Sequence, residues 1–124
     1  MPGIHLARHT GGEAVMRLIK VTMVRIYLTE AEGKLNPLMK RLHDWEKVRG
    51  VTVFRGISGF GKSGMMHSST LLDMSLDLPV VVEFFDEPEK VATILEHLSG
   101  MIAPGHIISW QANLMTDGQQ QEQA

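Results

Sequence analysis

The residues with the clearest chemical potential are Gly56-Ile57-Ser58-Gly59-Phe60-Gly61-Lys62-Ser63, which satisfy the pattern G-x-x-x-x-G-K-[ST] letter for letter. In that pattern backbone N–H groups surround phosphate oxygens, the lysine meets the outer phosphates and the hydroxyl reaches Mg²⁺. Val80-Val81-Val82-Glu83-Phe84-Phe85-Asp86 would pass as the hydrophobic strand with a terminal acid that accompanies it. A P-loop also needs a helix that starts at the Lys-Ser pair and points its N-terminus at the phosphates. Here Gly64 follows immediately, and Met65-Met66-His67-Ser68-Ser69 lacks helical periodicity. The chain is also short of a doubly wound parallel sheet. A P-loop NTPase is therefore the alternative reading. The glycines otherwise make a flexible turn, with Lys62 either solvated or touching a phosphate.

Other reactive side chains do not converge in the sequence. His43, His67, His97 and His106 fall on separate predicted elements with no i,i+4 pair, so no metal site is expected. Ser58, Ser63, Ser68 and Ser69 share one loop with His67 as its imidazole, and nothing resembles a nucleophile with its base. No catalytic residue is assigned and the protein is read as a non-enzyme.

The elements that must position the glycine turn follow from periodicity. Val21 to Thr29 predicts a first strand with Val24, Ile26 and Leu28 on one face and Met23, Arg25 and Tyr27 on the other. Asn36 and Pro37 read as N-cap and first-turn proline of a helix with Leu38, Leu42 and Trp45 along one stripe, closed near Gly50. Val51 to Arg55 is a second strand that fails at the glycines. Leu78 to Phe85 is a third, buried strand. Asp86-Glu87-Pro88-Glu89 opens a second helix with Val91, Ile94, Leu95 and Leu98 as its apolar stripe, ending at Gly100. Ile107 to Leu114 alternates as a fourth strand. The order is βαββαβ, and right-handed crossovers lay both helices on one sheet face: an α+β, ferredoxin-like two-layer sandwich.

Composition narrows the class. Hydrophobic residues make up 44% and charged residues 21% of 124, so the chain should fold as one domain. Twelve Lys and Arg against fourteen Asp and Glu give −2, which argues against nucleic acid as a partner. Zero cysteines exclude a disulfide framework, no segment could span a membrane, and the cytoplasm is the expected compartment. Residues 1–15 read as a disordered or tag-like arm, 16–115 as the domain, and 116–124 as a disordered polar tail. The cationic excess of the first helix, Lys34, Lys40, Arg41, Lys47 and Arg49, reads as a solvated face or as a complement to the acidic start of helix two across a subunit contact.

Gly50-Val51-Thr52-Val53 followed by Gly59-Phe60-Gly61-Lys62-Ser63-Gly64 resembles the second strand and T-loop entry of PII signalling proteins, and Gly100-Met101-Ile102-Ala103-Pro104-Gly105-His106-Ile107 resembles their second glycine-bearing turn. Met23-Val24-Arg25-Ile26-Tyr27-Leu28, His67-Ser68-Ser69 and Asp77-Leu78-Pro79-Val80-Val81-Val82-Glu83 are more closely similar to the PII-like family DUF190. The resemblance implies a PII-like fold, a homotrimer, and ligand sites in the clefts between subunits. It implies Gly59, Phe60, Gly61, Lys62, Ser63, Gly105 and His106 as ligand contacts, a nucleotide or other anion as effector, an adenine nucleotide being the candidate, and a regulated partner such as a membrane transporter or channel. The second turn departs from the PII pattern: Met101, Ala103 and Pro104 stand where PII proteins carry phosphate-gripping cations, leaving His106 as its one cationisable group. The connection from Phe60 to Asp77 contains no tyrosine to modify, and its length and composition predict an element ordered by ligand or partner, hinged at Gly59-Phe60-Gly61.

Overall fold

The computed structural model describes residues 5–8, 15–60, 67–68 and 77–117. Its organising strand is β2 (Val15–Thr29), which follows β1 (His5–Arg8). One edge of β2 pairs antiparallel with β7 (Ile107–Asp117) from Met16 to Ile26. Its other edge pairs with β1 through Val15–Leu18 and with β6 (Pro79–Asp86) through Thr22–Thr29. β6 pairs in turn with β3 (Val51–Arg55). The order β7-β2-β6-β3, with α1 (Leu35–Lys40) between β2 and β3 and α2 (Pro88–Leu98) between β6 and β7, is the ferredoxin-like sandwich.

Alternation in the sequence decides which face is core. Val24, Ile26 and Leu28 on β2 and Val80, Val82 and Phe84 on β6 lie beneath Leu38 and Leu42 of the first helical segment and Val91, Ile94 and Leu98 of α2. All of these are buried. α2 starts where proline allows it, with Pro88 in the first turn after the extended Glu87. Asp86 closes β6 as a buried carboxylate. It accepts from the backbone N–H of Glu87 at 2.9 Å and of Arg49 at 3.2 Å, and pairs with Lys90 Nζ at 3.1 Å. The acidic start of α2 is thus engaged by Arg49 and Lys90 of the same chain.

Several sequence expectations shift. The first helix begins at Leu35 with Lys34 before it, so Asn36 lies inside the helix and is not its cap. Beyond Lys40 the turn widens to a π-helical stretch, Arg41–Trp45, closed by Glu46 N–H donating to Arg41 O at 2.9 Å. The extra residue in that turn rotates Trp45 outward to 69% exposure and brings Glu46 inward instead. Buried Glu46 accepts from Arg41 Nε at 2.7 Å and His97 Nδ1 at 2.9 Å, tying the first helix to α2. The helix ends there, ahead of Gly50, with Lys47 in the left-handed region at φ 52. The sheet also reaches past the expected domain bounds: β1 and Val15 lie before residue 16, and β7 runs through Thr116 and Asp117. No helix is long and apolar enough to cross a membrane among the described residues.

The helix-free face carries Met23, Arg25 and Tyr27 of β2, Val81, Glu83 and Phe85 of β6, and Ile108 and Trp110 of β7, by the strand registers. These residues are apolar or aromatic apart from one pair, with Arg17 of β2 and Thr52 of β3 on the same face by register: Arg25 Nε donates to Glu83 Oε1 at 2.7 Å, directly across the ladder. The Arg25 guanidinium also lies 5.5 Å from the Trp110 ring centroid. Hydrogen bonds donated first to Glu83 and then to Tyr27 raise the Arg25 pKa above its ordinary value, so the cation persists at any working pH.

Phe84→Ala removes a fully buried ring from the centre of the core and should cost about 3–5 kcal/mol in denaturant unfolding. Trp45→Ala, despite its place on the apolar stripe, should cost less than about 1 kcal/mol, the scale of its exposed contact with Arg41. Equal costs would contradict the outward rotation of Trp45.

Candidate functional site

All the expected ligand-contact residues that the structure describes sit at one end of the sheet. β2 and β3 finish there and β6 and β7 begin there. On the β3 side the chain leaves the sheet at Gly56, whose N–H donates to Pro79 O at 2.7 Å. A Cβ added to Gly56 would lie 2.9 Å from Pro79 Cγ, so this close approach requires glycine. Strand geometry does not simply stop at the glycines, as the sequence suggests. Ser58 and Gly59 form β4 and pair with His67 and Ser68 of β5 in a two-stranded ribbon. Gly59 remains beside Pro79, and Phe60 projects next to it at 67% exposure.

The base of this connection is fixed on both strands. Leu78 O accepts from Glu30 N–H at 3.0 Å, and the Asp77 carboxylate accepts from Ala31 N–H at 2.9 Å. Arg55 forms an ion pair with Glu30. The turn at Glu30–Glu32 thus holds the end of β3 and the start of β6 together. None of these anchors stands out in the sequence as functional. Glu30, Arg55 and Asp77 are ordinary surface charges until topology brings them together. Gly61, Lys62 and Ser63, and the expected order–disorder behaviour of the connection, lie outside the described residues.

On the β7 side, Gly105 adopts φ 90, which only glycine tolerates easily, and turns the chain into β7. His106 is then clamped to β2 twice. Its carbonyl accepts from Tyr27 N–H at 2.9 Å, and its Nδ1 lies 3.0 Å from Tyr27 O. A carbonyl oxygen only accepts, so Nδ1 carries the proton and donates, and Nε2 is left for another partner.

Gly59 and His106 share an end of the sheet but not a side of it. β2 lies between β7 and β6, so two to three strand spacings of about 4.8 Å, roughly 10–14 Å, separate the two turns. Hydrogen bonds reach about 3 Å, so one phosphate or carboxylate-sized anion cannot touch both turns of one copy. A P-loop fits no better: strand lies on both sides of Lys62, where that motif requires a helix directly after the lysine.

Comparison with known proteins is consistent with this geometry. The family model DUF190, described as Uncharacterized ACR, matches residues 21–114. The chain belongs to the DUF190 family. A UPF0166 protein of Aquifex aeolicus (strain VF5) is 39% identical over 89 residues, covering 68% of this chain and 85% of the relative. A UPF0166 protein of Methanocaldococcus jannaschii is 33% identical over 96 residues, covering 73% of this chain and 87% of the relative. Among solved structures, a putative PII-like signaling protein from Thermus thermophilus aligns with a TM-score of 0.55 at 17% identity, covering 80% of this chain and 91% of that one. CPII from Thiomonas intermedia, solved bound to ADP and bicarbonate, aligns with a TM-score of 0.52 at 20% identity, covering 80% and 90%. At such identities the likeness establishes the PII-like fold of this DUF190 chain.

The two glycine requirements can be tested apart from ligand. Gly56→Ala must displace the Pro79 ring and should cost about 1–3 kcal/mol in thermal or denaturant unfolding. Gly105→Ala meets no atom within 4 Å, so its cost, also about 1–3 kcal/mol, is backbone strain alone. Gly50→Ala, which has open space and ordinary backbone, should stay within about 0.5 kcal/mol of the parent. A Gly56→Ala protein as stable as Gly50→Ala would contradict the tight loop base.

Proposed function

We propose that this DUF190 protein is a cytoplasmic PII-like regulator that binds a small anionic effector, an adenine nucleotide, between copies of itself and presents the connection 60–77 to a partner protein. The observation that carries the reading is the placement of the two turns: same end of the sheet, opposite sides. β3 and β7 are the outer strands of the four-stranded array, and each pairs on one edge only among the described residues. β3 runs toward the site end and β7 away from it. Antiparallel apposition of β3 in one copy with β7 in the next brings Gly59, Phe60 and the segment bearing Gly61, Lys62 and Ser63 beside Gly105 and His106 of the neighbour. A head-to-tail contact of this kind closes into a ring, and a trimer is the ring we favour. The largely apolar centre of the helix-free face, where Arg25 and Glu83 neutralise each other, fits burial against other copies. The ADP and bicarbonate bound to the CPII neighbour support the ligand class.

The effector would then act on the connection, whose base is held by Glu30, Ala31 and Pro79. The partner we favour is a regulated protein such as a membrane transporter or channel. The protein binds and signals, and it does not turn over its nucleotide.

Light scattering of the purified protein should return a mass near three times 13.8 kDa. A stable monomer at micromolar concentration would remove the intersubunit site. Calorimetry should detect ADP binding that Lys62→Ala weakens about tenfold or more, the loss of one charge-assisted hydrogen bond. Steady phosphate release from Mg·ATP, abolished by Lys62→Ala, would instead support the P-loop reading.

A further inference from the structure

Neutral imidazole has one donor and one acceptor, and the sheet has already used the donor of His106. Nδ1 faces Tyr27 O at 3.0 Å, while the backbone of the same residue is fixed by Tyr27 N–H at 2.9 Å. The ring cannot give that proton to Nε2 without setting two acceptors against each other at Tyr27. In the neutral state Nε2 therefore presents a lone pair, which repels a phosphate or carboxylate oxygen. The ring can donate to an anion only as the imidazolium, with both nitrogens protonated.

We infer that the binding of an anionic ligand at this site is coupled to the uptake of one proton by His106, with Tyr27 O as the group that enforces the coupling. The inference rests on the reading of His106 as a ligand contact. Charged and titratable groups on the neighbouring elements are few. By register the nearest are Tyr27 and Arg25 of β2 and then Glu83 of β6, which is paired with Arg25. Arg17 and Lys20 of β2 and Asp86 of β6 lie towards the far end of these strands, and Glu30 after β2 is paired with Arg55. Ser99 to Gly105 and the β7 residues Ile107 to Ser109 contain no ionisable side chain. The second turn thus has no permanent cation to meet an anion, and the proton on His106 is the charge it can supply. A ligand group that brings its own donor, such as a ribose hydroxyl, would meet the neutral ring with no proton uptake.

The linkage has a fixed sign. Where free His106 is neutral and bound His106 is protonated, affinity rises as pH falls, by up to about tenfold per pH unit for one proton, and levels off once the free ring is protonated. ADP titrates in the same range, so the measurement compares proteins and not pH values alone. His106→Asn keeps an N–H donor where Nδ1 lies and has no group that titrates. Calorimetric titration of ADP at pH 7.5 in two buffers of different ionisation heat should show proton uptake by the parent that exceeds that of His106→Asn. ADP binding by both proteins with equal proton uptake would overturn the coupling and leave the site intact. Failure of the parent to bind ADP would overturn the site reading and the coupling with it. In the ligand-free protein, nitrogen NMR of His106 should show the Nδ1–H tautomer. The Nε2–H tautomer would overturn the inference without any ligand.

Discussion

The structure depends on the period-two alternation of β2 being held in register by three neighbours at once. Ile26 faces Val82 on one side and Ile107 on the other, and those two contacts fix which face of every strand meets the helices. A slip of one residue on either side would turn Val24, Ile26 and Leu28 to the helix-free face and bring Arg25 into the core. The same register sets the ends of the strands. Because Thr29 pairs with Pro79 and Ile26 with Ile107, the turn after β3 and the turn before β7 open at one end of the sheet. The candidate site is thus a consequence of the core, with no separate scaffold.

Two kinds of restraint meet at that end. The base of the connection between β3 and β6 is fixed by backbone hydrogen bonds to Pro79 and Leu78, which tolerate almost any side chain except at Gly56. The turn before β7 is fixed by the positive φ of Gly105 and by the double hold of His106 on Tyr27. Both bases are anchored to the same end of the sheet, one through Pro79 and Leu78 of the β6 side and one through Tyr27 of β2. They also leave the two halves too far apart to act on one anion within one copy.

Much of the fold was legible in the sequence because its strongest signals are local. Alternation in Val21 to Thr29, the valine run at Val80 to Val82 and the proline at Pro88 act over a few residues and mark strand, buried strand and helix start. The first helix was read less well. Spacing placed Trp45 on the apolar stripe, but a π-helical turn has a different period, and nothing in Arg41 to Trp45 advertises it. Pairing of His5–Arg8 with Val15–Leu18 was missed because a hairpin arm gains its stability from the ladder it joins more than from its own composition. At the site, the glycines announced themselves by type. The anchors Glu30, Arg55, Asp77 and the carbonyl of Tyr27 did not, since backbone groups and long-range charge pairs leave no spacing signature. Separation of the two turns by β2 and β6 is a property of strand order, which no local pattern encodes.

The central claim is that each site takes one turn from each of two copies, and mixed oligomers test it most directly. Lys62→Ala spoils the loop half of a site and His106→Ala the other half, so each homogeneous variant should bind ADP poorly. Co-assembly of the two in equal amounts by random mixing should leave about a quarter of the sites with both halves intact, and ADP binding of parental affinity should return at that fraction. Mixed oligomers that bind no better than either variant alone would place both halves in the same chain and contradict the account.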